Sequence, residues 1–146
     1  MTGRPLRPPE GGEEAPVVSS ALDGHGPLDL VSLAQAICER YGLEFPDERE
    51  RYGTAGTAWC VHDNQHILNW AVESVTGELD IRQEISWLAT VLEARNFPVD
   101  RLARDLDIGA EVVIDRVGGA GAQELVAVLT DTADFIRSGD FREYAV

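Results

Sequence analysis

The sequence predicts an all-α fold, an antiparallel bundle of about five helices behind a disordered N-terminal leader. Apolar residues recur at spacings of three and four along five segments, and Gly, Pro, Asp and Asn separate these segments. No run of alternating polar and apolar residues has a partner run beside it. The chain has 146 residues, of which 44% are hydrophobic, so one domain can bury a core without metal ions or disulfides.

The N-terminal part of the chain has a different composition from the rest. Residues 1–26 are rich in Pro, Gly and Glu and show no apolar period. A segment of this composition buries too little apolar surface to offset its conformational entropy. The sequence therefore predicts a disordered acidic leader over residues 1–26 and a single helical-bundle domain over residues 27–146.

Each predicted helix has an apolar stripe and its own end signals. The predicted ranges are 27–41, 58–75, 80–96, 100–117 and 122–137. Asp29, Asp80 and Asp100 are predicted caps, because an aspartate side chain accepts hydrogen bonds from backbone N–H groups at a helix start. Residues 44–57 are expected to be a connector with at most one exposed helical turn. Gly109 lowers the helix propensity of its segment enough to permit a kink, and the tail, residues 140–146, is expected to dock on the bundle.

The net charge is strongly one-sided. It is -14, and all 12 basic residues are arginine. Nucleic acid and anionic membrane surfaces are poor partners for such a chain, because both require clustered basic residues. A protein partner or a homodimer suits the charge better, and a small-molecule ligand is compatible with it. The lack of lysine excludes Schiff-base and P-loop chemistry.

The cysteines and the hydropathy pattern indicate the cellular compartment of the protein. Cys38 and Cys60 stand alone in the sequence, which predicts two buried, reduced side chains. No apolar run is long enough to span a bilayer, and the N-terminus has no apolar signal core. The protein is therefore expected in the cytoplasm.

The chemically richest stretch is the predicted helix that contains two of the three histidines and two of the three tryptophans. A helix advances by about 100° per residue, so this stretch separates into two faces. We call one of them the imidazole–indole face, which consists of Trp59, His62, His66, Asn69, Trp70 and Glu73. The opposite, core-directed side carries Cys60, Val61, Leu68, Ala71, Val72 and Val75.

Three interpretations of the imidazole–indole face remain open. Its rings can line a pocket for a flat organic molecule or form a partner surface, with Trp87 of the next helix as a third wall. Alternatively, the rings fill a second core layer and the histidines bond to neighbouring acids. His62 and His66 lie one turn apart and can also hold a divalent metal ion, although a further ligand must then come from another helix.

Part of the chain resembles a known type of domain. The matching positions are His66, Ile67, Leu68, Asn69 and Trp70, then Trp87, Leu88, Leu92, Arg95, Pro98, Leu102 and Leu106. Their order resembles bacterial helical domains that occur alone or beside cobalamin-binding modules. The resemblance implies a signal-responsive, regulatory function and no catalytic residue. The Asp-x-His-x-x-Gly signature of cobalamin-binding modules is absent from this chain, so the resemblance implies no cobalamin site.

The sequence favours a non-enzymatic helical regulatory or adaptor module that binds a protein partner or a small ligand through the imidazole–indole face. One alternative is a metal-dependent enzyme that uses His62 and His66. Another is a structural subunit of a homo-oligomer. No catalytic residue is assigned, because the chain contains no nucleophile elbow, no phosphate-binding loop and no activated cysteine that can be recognised from the sequence.

Overall fold

A short β-hairpin and six helices make up residues 15–144, the part of the chain that the computed structural model describes. The strands are β1 (Ser19–Leu22) and β2 (Gly26–Asp29), which pair antiparallel. The helices are α1 (Leu30–Glu44), α2 (Pro46–Thr76), α3 (Ile81–Ala94), α4 (Val99–Arg116), α5 (Gly119–Ser138) and α6 (Phe141–Tyr144). The predicted all-α bundle is confirmed, since the five long helices pack around one hydrophobic core.

The centre of the bundle is the α4–α5 pair, and α1 packs across α4. The three helices meet at Gly109, where an added methyl group would lie 3.6 Å from Cδ1 of Ile37 and 3.8 Å from Cδ1 of Leu129. The kink that Gly109 permits does not form, and α4 remains helical through this residue. Packing on two sides thus offsets the low helix propensity of glycine.

Two of the three predicted helix caps are confirmed. The Oδ1 atom of Asp29 accepts a hydrogen bond from the Ser32 N–H at 3.0 Å, and Oδ1 of Asp80 accepts one from the Arg82 N–H at 2.9 Å. The prediction for Asp100 is wrong, because Pro98 holds the N-cap position of α4. Asp100 lies in the first turn instead, where its charge still interacts favourably with the helix dipole.

The prediction of disorder over residues 1–26 is wrong for the part that forms the β-hairpin. Residues 1–14 lie outside the described residues, but Ser19–Leu22 pairs with Gly26–Asp29 in a hairpin whose turn is closed by a hydrogen bond from His25 N–H to the Leu22 carbonyl. Leu22 and Leu28 are buried and join the core of the bundle. Strands of four residues are too short for a two-residue alternation to stand out in the sequence. The hairpin also moves the start of α1 from the predicted residue 27 to Leu30.

The predicted connector over residues 44–57 is mostly helical. α2 begins at Pro46, a residue suited to the first turn, and Asp47 and Glu48 place negative charge at its N-terminus. The helix direction breaks at Gly53, whose φ of 60° and ψ of -145° are not helical. A side chain at this φ is strained, so glycine permits the break. α2 therefore consists of a short entry segment, residues 46–52, and a long segment that carries the imidazole–indole face.

Cys38 and Cys60 form a disulfide between α1 and α2, which corrects the prediction of two reduced cysteines. Their Cα atoms lie 6.0 Å apart and are separated by 22 positions in the chain. The sequence did not reveal the pair, because the two cysteines lie on different helices and only the packing of α1 against α2 brings them together. The bridge ties the long segment of α2 to α1.

The tail docks on the bundle as predicted, as far as residue 144. Phe141 of α6 is fully buried, and Arg142 forms an ion pair with Glu93 of α3. Residues 145–146 lie outside the described part of the chain. Among the described helices, none is both long enough and apolar enough to cross a membrane.

Removal of the disulfide should lower the stability of the protein. Closing a loop of this length restricts the unfolded chain, which corresponds to about 3 kcal/mol of folding free energy. We expect a Cys38→Ser/Cys60→Ser variant to lose about that amount in urea-induced unfolding. Added reductant should destabilise the wild-type protein similarly and leave the variant unchanged; an equal response of both proteins to reductant would contradict a structural role for the bridge.

Candidate functional site

The rings of the imidazole–indole face form a continuous row along α2. Ring centroids are 5.5 Å apart for Trp59 and His62, 4.8 Å for His62 and His66, and 5.8 Å for His66 and Trp70. The last pair is stacked, with 27° between the ring planes. The helical spacing of these four residues thus brings them together as the sequence predicts.

Much of this row is already engaged within the protein. His62 is only 7% exposed, and its Nδ1 atom lies 3.1 Å from Oδ1 of Asp63. Asn69 donates a hydrogen bond of 2.6 Å to Glu73, and Trp70 packs against the core. These contacts agree with the interpretation of the row as a second packing layer.

The sequence analysis made two further predictions about this face: Trp87 as a third wall, and a metal ion held by His62 and His66. Trp87 lies on α3, is 50% exposed and makes no ring contact with the row within the described residues. Across residues 15–144, no group of three or more His, Cys, Asp or Glu side chains is arranged to hold a metal ion. The described residues therefore do not form a metal site of three such side chains around His62 and His66.

A cavity of about 360 Å³ lies on the neighbouring side of α2. It is bounded by the end of α1, both segments of α2, the second half of α3 with the loop that follows it, and the start of α4. Its aromatic lining residues are Tyr41, Phe45, Tyr52, Trp59 and Phe97, and its aliphatic ones are Ile67, Leu88, Leu92 and Leu102. Trp59 is the single residue that belongs both to this lining and to the imidazole–indole face.

Polar groups converge at one buried position in the cavity wall. Asp105 of α4 is 6% exposed, and its Oδ1 atom accepts a 3.1 Å hydrogen bond from Nδ2 of Asn64. Asn64 is also buried and donates to the Cys60 carbonyl at 3.0 Å. The Cys38–Cys60 disulfide lines the same wall. Most of the cavity wall is thus apolar, and the Asn64–Asp105 pair forms a buried polar point within it.

Asp105 has an unusual proton affinity. Burial is the main cause that raises the pKa of Asp105 from 3.8 to about 7. The hydrogen bond from Asn64 lowers this pKa, and the negative charges of Asp63 and Glu48 raise it further. Among the described residues, Asp105 forms no ion pair with an arginine, and Arg101 of the same helix pairs with Asp47 and Glu48 instead. Near neutral pH, the carboxyl is therefore poised between its protonated and ionised forms.

A second polar group holds the entry segment of α2 against α4. Glu48 accepts a hydrogen bond of 2.5 Å from the Tyr41 hydroxyl and one of 2.7 Å from Arg101. Arg101 also binds Asp47 at 2.9 Å, and its guanidinium lies 4.3 Å from the centroid of the Phe45 ring. Burial and the hydrogen bond to Glu48 raise the pKa of Tyr41, so its hydroxyl stays protonated. We call Tyr41, Glu48 and Arg101 the clamp.

The sequence interpretation missed Asp105, Asn64 and the clamp. A signal for Asp105 was present: it lies three residues after Leu102 and one before Leu106, on the apolar stripe of its helix. A carboxyl on a core-facing stripe indicates a buried charge that needs a partner. Asn64 similarly lies four residues before Leu68, on the core-facing side of α2. Glu48 and Arg101 carried no such signal, because their partners are far away in the chain.

Asp105 should make stability depend on pH in an unusual direction. Its pKa is raised on folding, so the folded state binds the proton more tightly than the unfolded state between about pH 4 and 7. The free energy of unfolding should therefore fall as pH rises through this window, by up to about 4 kcal/mol from this group. An Asp105→Asn variant should be more stable than wild type at pH 8 and no more stable at pH 4, as measured by urea unfolding.

The matched control for this experiment is Asp107→Asn on the same helix. Asp107 binds Arg137 at the protein surface, away from the cavity. Its replacement should leave the pH profile close to that of wild type. A parallel profile for wild type and Asp105→Asn would show that Asp105 does not carry the dependence.

Comparison with family models, with curated proteins and with solved structures found no match. The resemblance of residues 60–115 to bacterial helical regulatory domains therefore stays a prediction. The site is interpreted from its own geometry.

Proposed function

We propose that this protein is a non-enzymatic helical module that binds a small organic molecule in the cavity between α1, α2, α3 and α4. The cavity itself carries the proposal: about 360 Å³ of space lined by aromatic and aliphatic side chains, with one buried carboxyl–amide pair. Small-molecule sites typically have volumes of about 300–1,000 Å³, mostly apolar walls and a few fixed polar groups. Apolar walls supply affinity, and the polar pair selects the orientation of the ligand.

The arrangement of α2 supports a regulatory function for this binding. The entry segment of α2 covers the cavity and is connected to the rest of the helix through the non-helical residue Gly53. The clamp holds the segment to α1 and α4 through hydrogen bonds and an ion pair between polar side chains. A ligand that contacts Phe45 or Tyr52 therefore favours one position of this segment, and a partner that contacts the segment can detect the change.

The proposed binding site lies on a different side of α2 from the imidazole–indole face that the sequence predicted. Trp59 is common to both, whereas His62, His66, Asn69, Trp70 and Glu73 are not among the residues that line the cavity. The imidazole–indole face stays a prediction for a protein partner or a homodimer, with the exposed Trp87 on α3 as an additional contact. No metal ion is part of the proposal.

A cytoplasmic location stays a prediction from the sequence, and the disulfide of the structure argues against it. The Cys38–Cys60 disulfide is more typical of an oxidising compartment. Alkylation of thiols in intact cells, followed by mass spectrometry of the peptides that contain Cys38 and Cys60, tests the location. Recovery of the pair as a disulfide would contradict residence in a reducing cytosol.

Filling the cavity should abolish binding of a small apolar molecule. Naphthylmethanol serves as a neutral probe, and a molecule of this size should bind with a dissociation constant on the order of 0.1–1 mM. A Leu92→Trp variant places a larger ring in the cavity wall and should weaken binding at least tenfold in isothermal titration calorimetry. Absence of binding to the wild-type protein, or equal binding by the variant, would overturn the proposal.

The matched control for Leu92→Trp is Leu79→Trp. Both leucines are partly buried against the core, but Leu79 does not line the cavity. Both variants therefore replace a partly buried leucine by tryptophan. Only the variant in the cavity wall should lose the probe, while thermal unfolding reports the stability of each.

A further inference from the structure

We propose that the natural ligand of the cavity is an organic amine, whose protonated nitrogen binds Asp105 while its apolar body contacts the aromatic walls. This inference rests on the proposed function, because it names the class of molecule that the same cavity takes. Among the described residues, the buried carboxyl of Asp105 is bonded to a neutral amide and to no cation.

Asp105 lacks a positively charged partner in the described part of the chain. Its Oδ1 atom accepts from the neutral amide of Asn64, and no hydrogen bond to its Oδ2 atom is present among residues 15–144. Arg101 lines the same cavity but is bound to Asp47 and Glu48. A buried carboxylate without a cation is costly, whereas a ligand ammonium would donate to it and neutralise it.

The other charged groups of the cavity favour a cation at this position. From α2, Glu48 and Asp63 face the site with side chains that are 19% and 28% exposed, and His62 contacts Asp63. From α1, Tyr41 contributes a neutral hydroxyl that is engaged with Glu48. The interior thus presents three carboxyl groups, and one of their charges is offset by Arg101.

The remaining cations lie at the outer edge of the site. Arg49 of α2 and Arg95, which follows α3, line the cavity but are exposed to solvent. Water and salt screen charges at such positions much more strongly than charges in the interior. The field at Asp105 is therefore dominated by the acidic groups, and the overall charge of -14 attracts cations to the protein from solution.

The walls suit the rest of such a molecule. The rings of Tyr41 and Phe45 have centroids 4.8 Å apart, and Tyr52, Trp59 and Phe97 complete the aromatic lining. Aromatic faces attract cations through their quadrupoles. The contact of the Arg101 guanidinium with Phe45 is an example of this interaction in the same wall. An ammonium near Asp105 thus meets both a carboxylate and electron-rich rings.

The experiment compares probes of the same shape and different charge. Naphthylmethylamine, naphthylmethanol and naphthoic acid are titrated into the full-length protein at pH 8 by isothermal titration calorimetry. The amine should bind at least tenfold more tightly than the alcohol, and the acid should bind most weakly. Asp105→Asn should lose the preference for the amine, whereas Asp107→Asn should retain it.

The pH dependence gives a second readout that a purely structural role of Asp105 would not produce. The amine binds the ionised carboxyl, which becomes more populated as pH rises through about 7. Its affinity for wild type should therefore increase about tenfold between pH 6 and pH 8, and the affinity of the alcohol should not. Asp105→Asn should show no such increase for either probe.

The outcomes separate this inference from the proposed function. Equal binding of the amine and the alcohol by wild type would overturn the amine inference and leave the binding function intact. Preferential binding of the acid would also overturn the amine inference. It would indicate that Arg49 and Arg95 determine which charge the cavity accepts. Binding of none of the probes would overturn both proposals. Retention of the amine preference by Asp105→Asn would show that another group selects the ligand.

Discussion

The cavity depends on the break in α2 at Gly53, more than on any other local feature. If α2 continued as one helix from Pro46, its entry segment could not lie across the ends of α1 and α4, and Phe45 and Tyr52 would not share a wall with Trp59. Glycine permits the break because its φ of 60° carries no strain for a residue without a Cβ atom. The clamp then holds the segment in place through Glu48 and Arg101, which the break brings within hydrogen-bonding distance.

The same region combines strong and weak stabilising elements. The α4–α5 pair and the disulfide between α1 and α2 form a rigid support behind the cavity. The entry segment of α2, in contrast, is held by partly exposed ion pairs. Pairs of this kind contribute little to the free energy of folding. A ligand of the proposed kind would therefore contact a fixed back wall that positions Asp105 and Asn64. The entry segment of α2 would form a front wall whose position the ligand could shift at a low cost in free energy.

Asp105 illustrates how binding and stability oppose each other. An asparagine at this position would remove the cost of a buried carboxyl and keep an acceptor for the Asn64 amide. Burial, the source of this cost, is also the main cause of the raised pKa of Asp105. A ligand with a positive charge would recover it on binding, so the same feature that weakens the empty protein would strengthen the complex. In the proposed function, the carboxyl of Asp105 would thus lower the stability of the protein alone and raise its affinity for the ligand.

The sequence by itself determined the helical class, the order and number of the long helices and the caps at Asp29 and Asp80, because these depend on residues at most four positions apart in the chain. It also placed Trp59, His62, His66 and Trp70 on one face for the same reason. Only the tertiary structure decided where a cavity forms and which side chains line it. The pairs Asn64–Asp105, Glu48–Arg101 and Cys38–Cys60 each join different helices, and their distances depend on how those helices cross. Local periodicity contains no information about such crossings, so the face that looked richest in chemistry lay beside the cavity and not inside it.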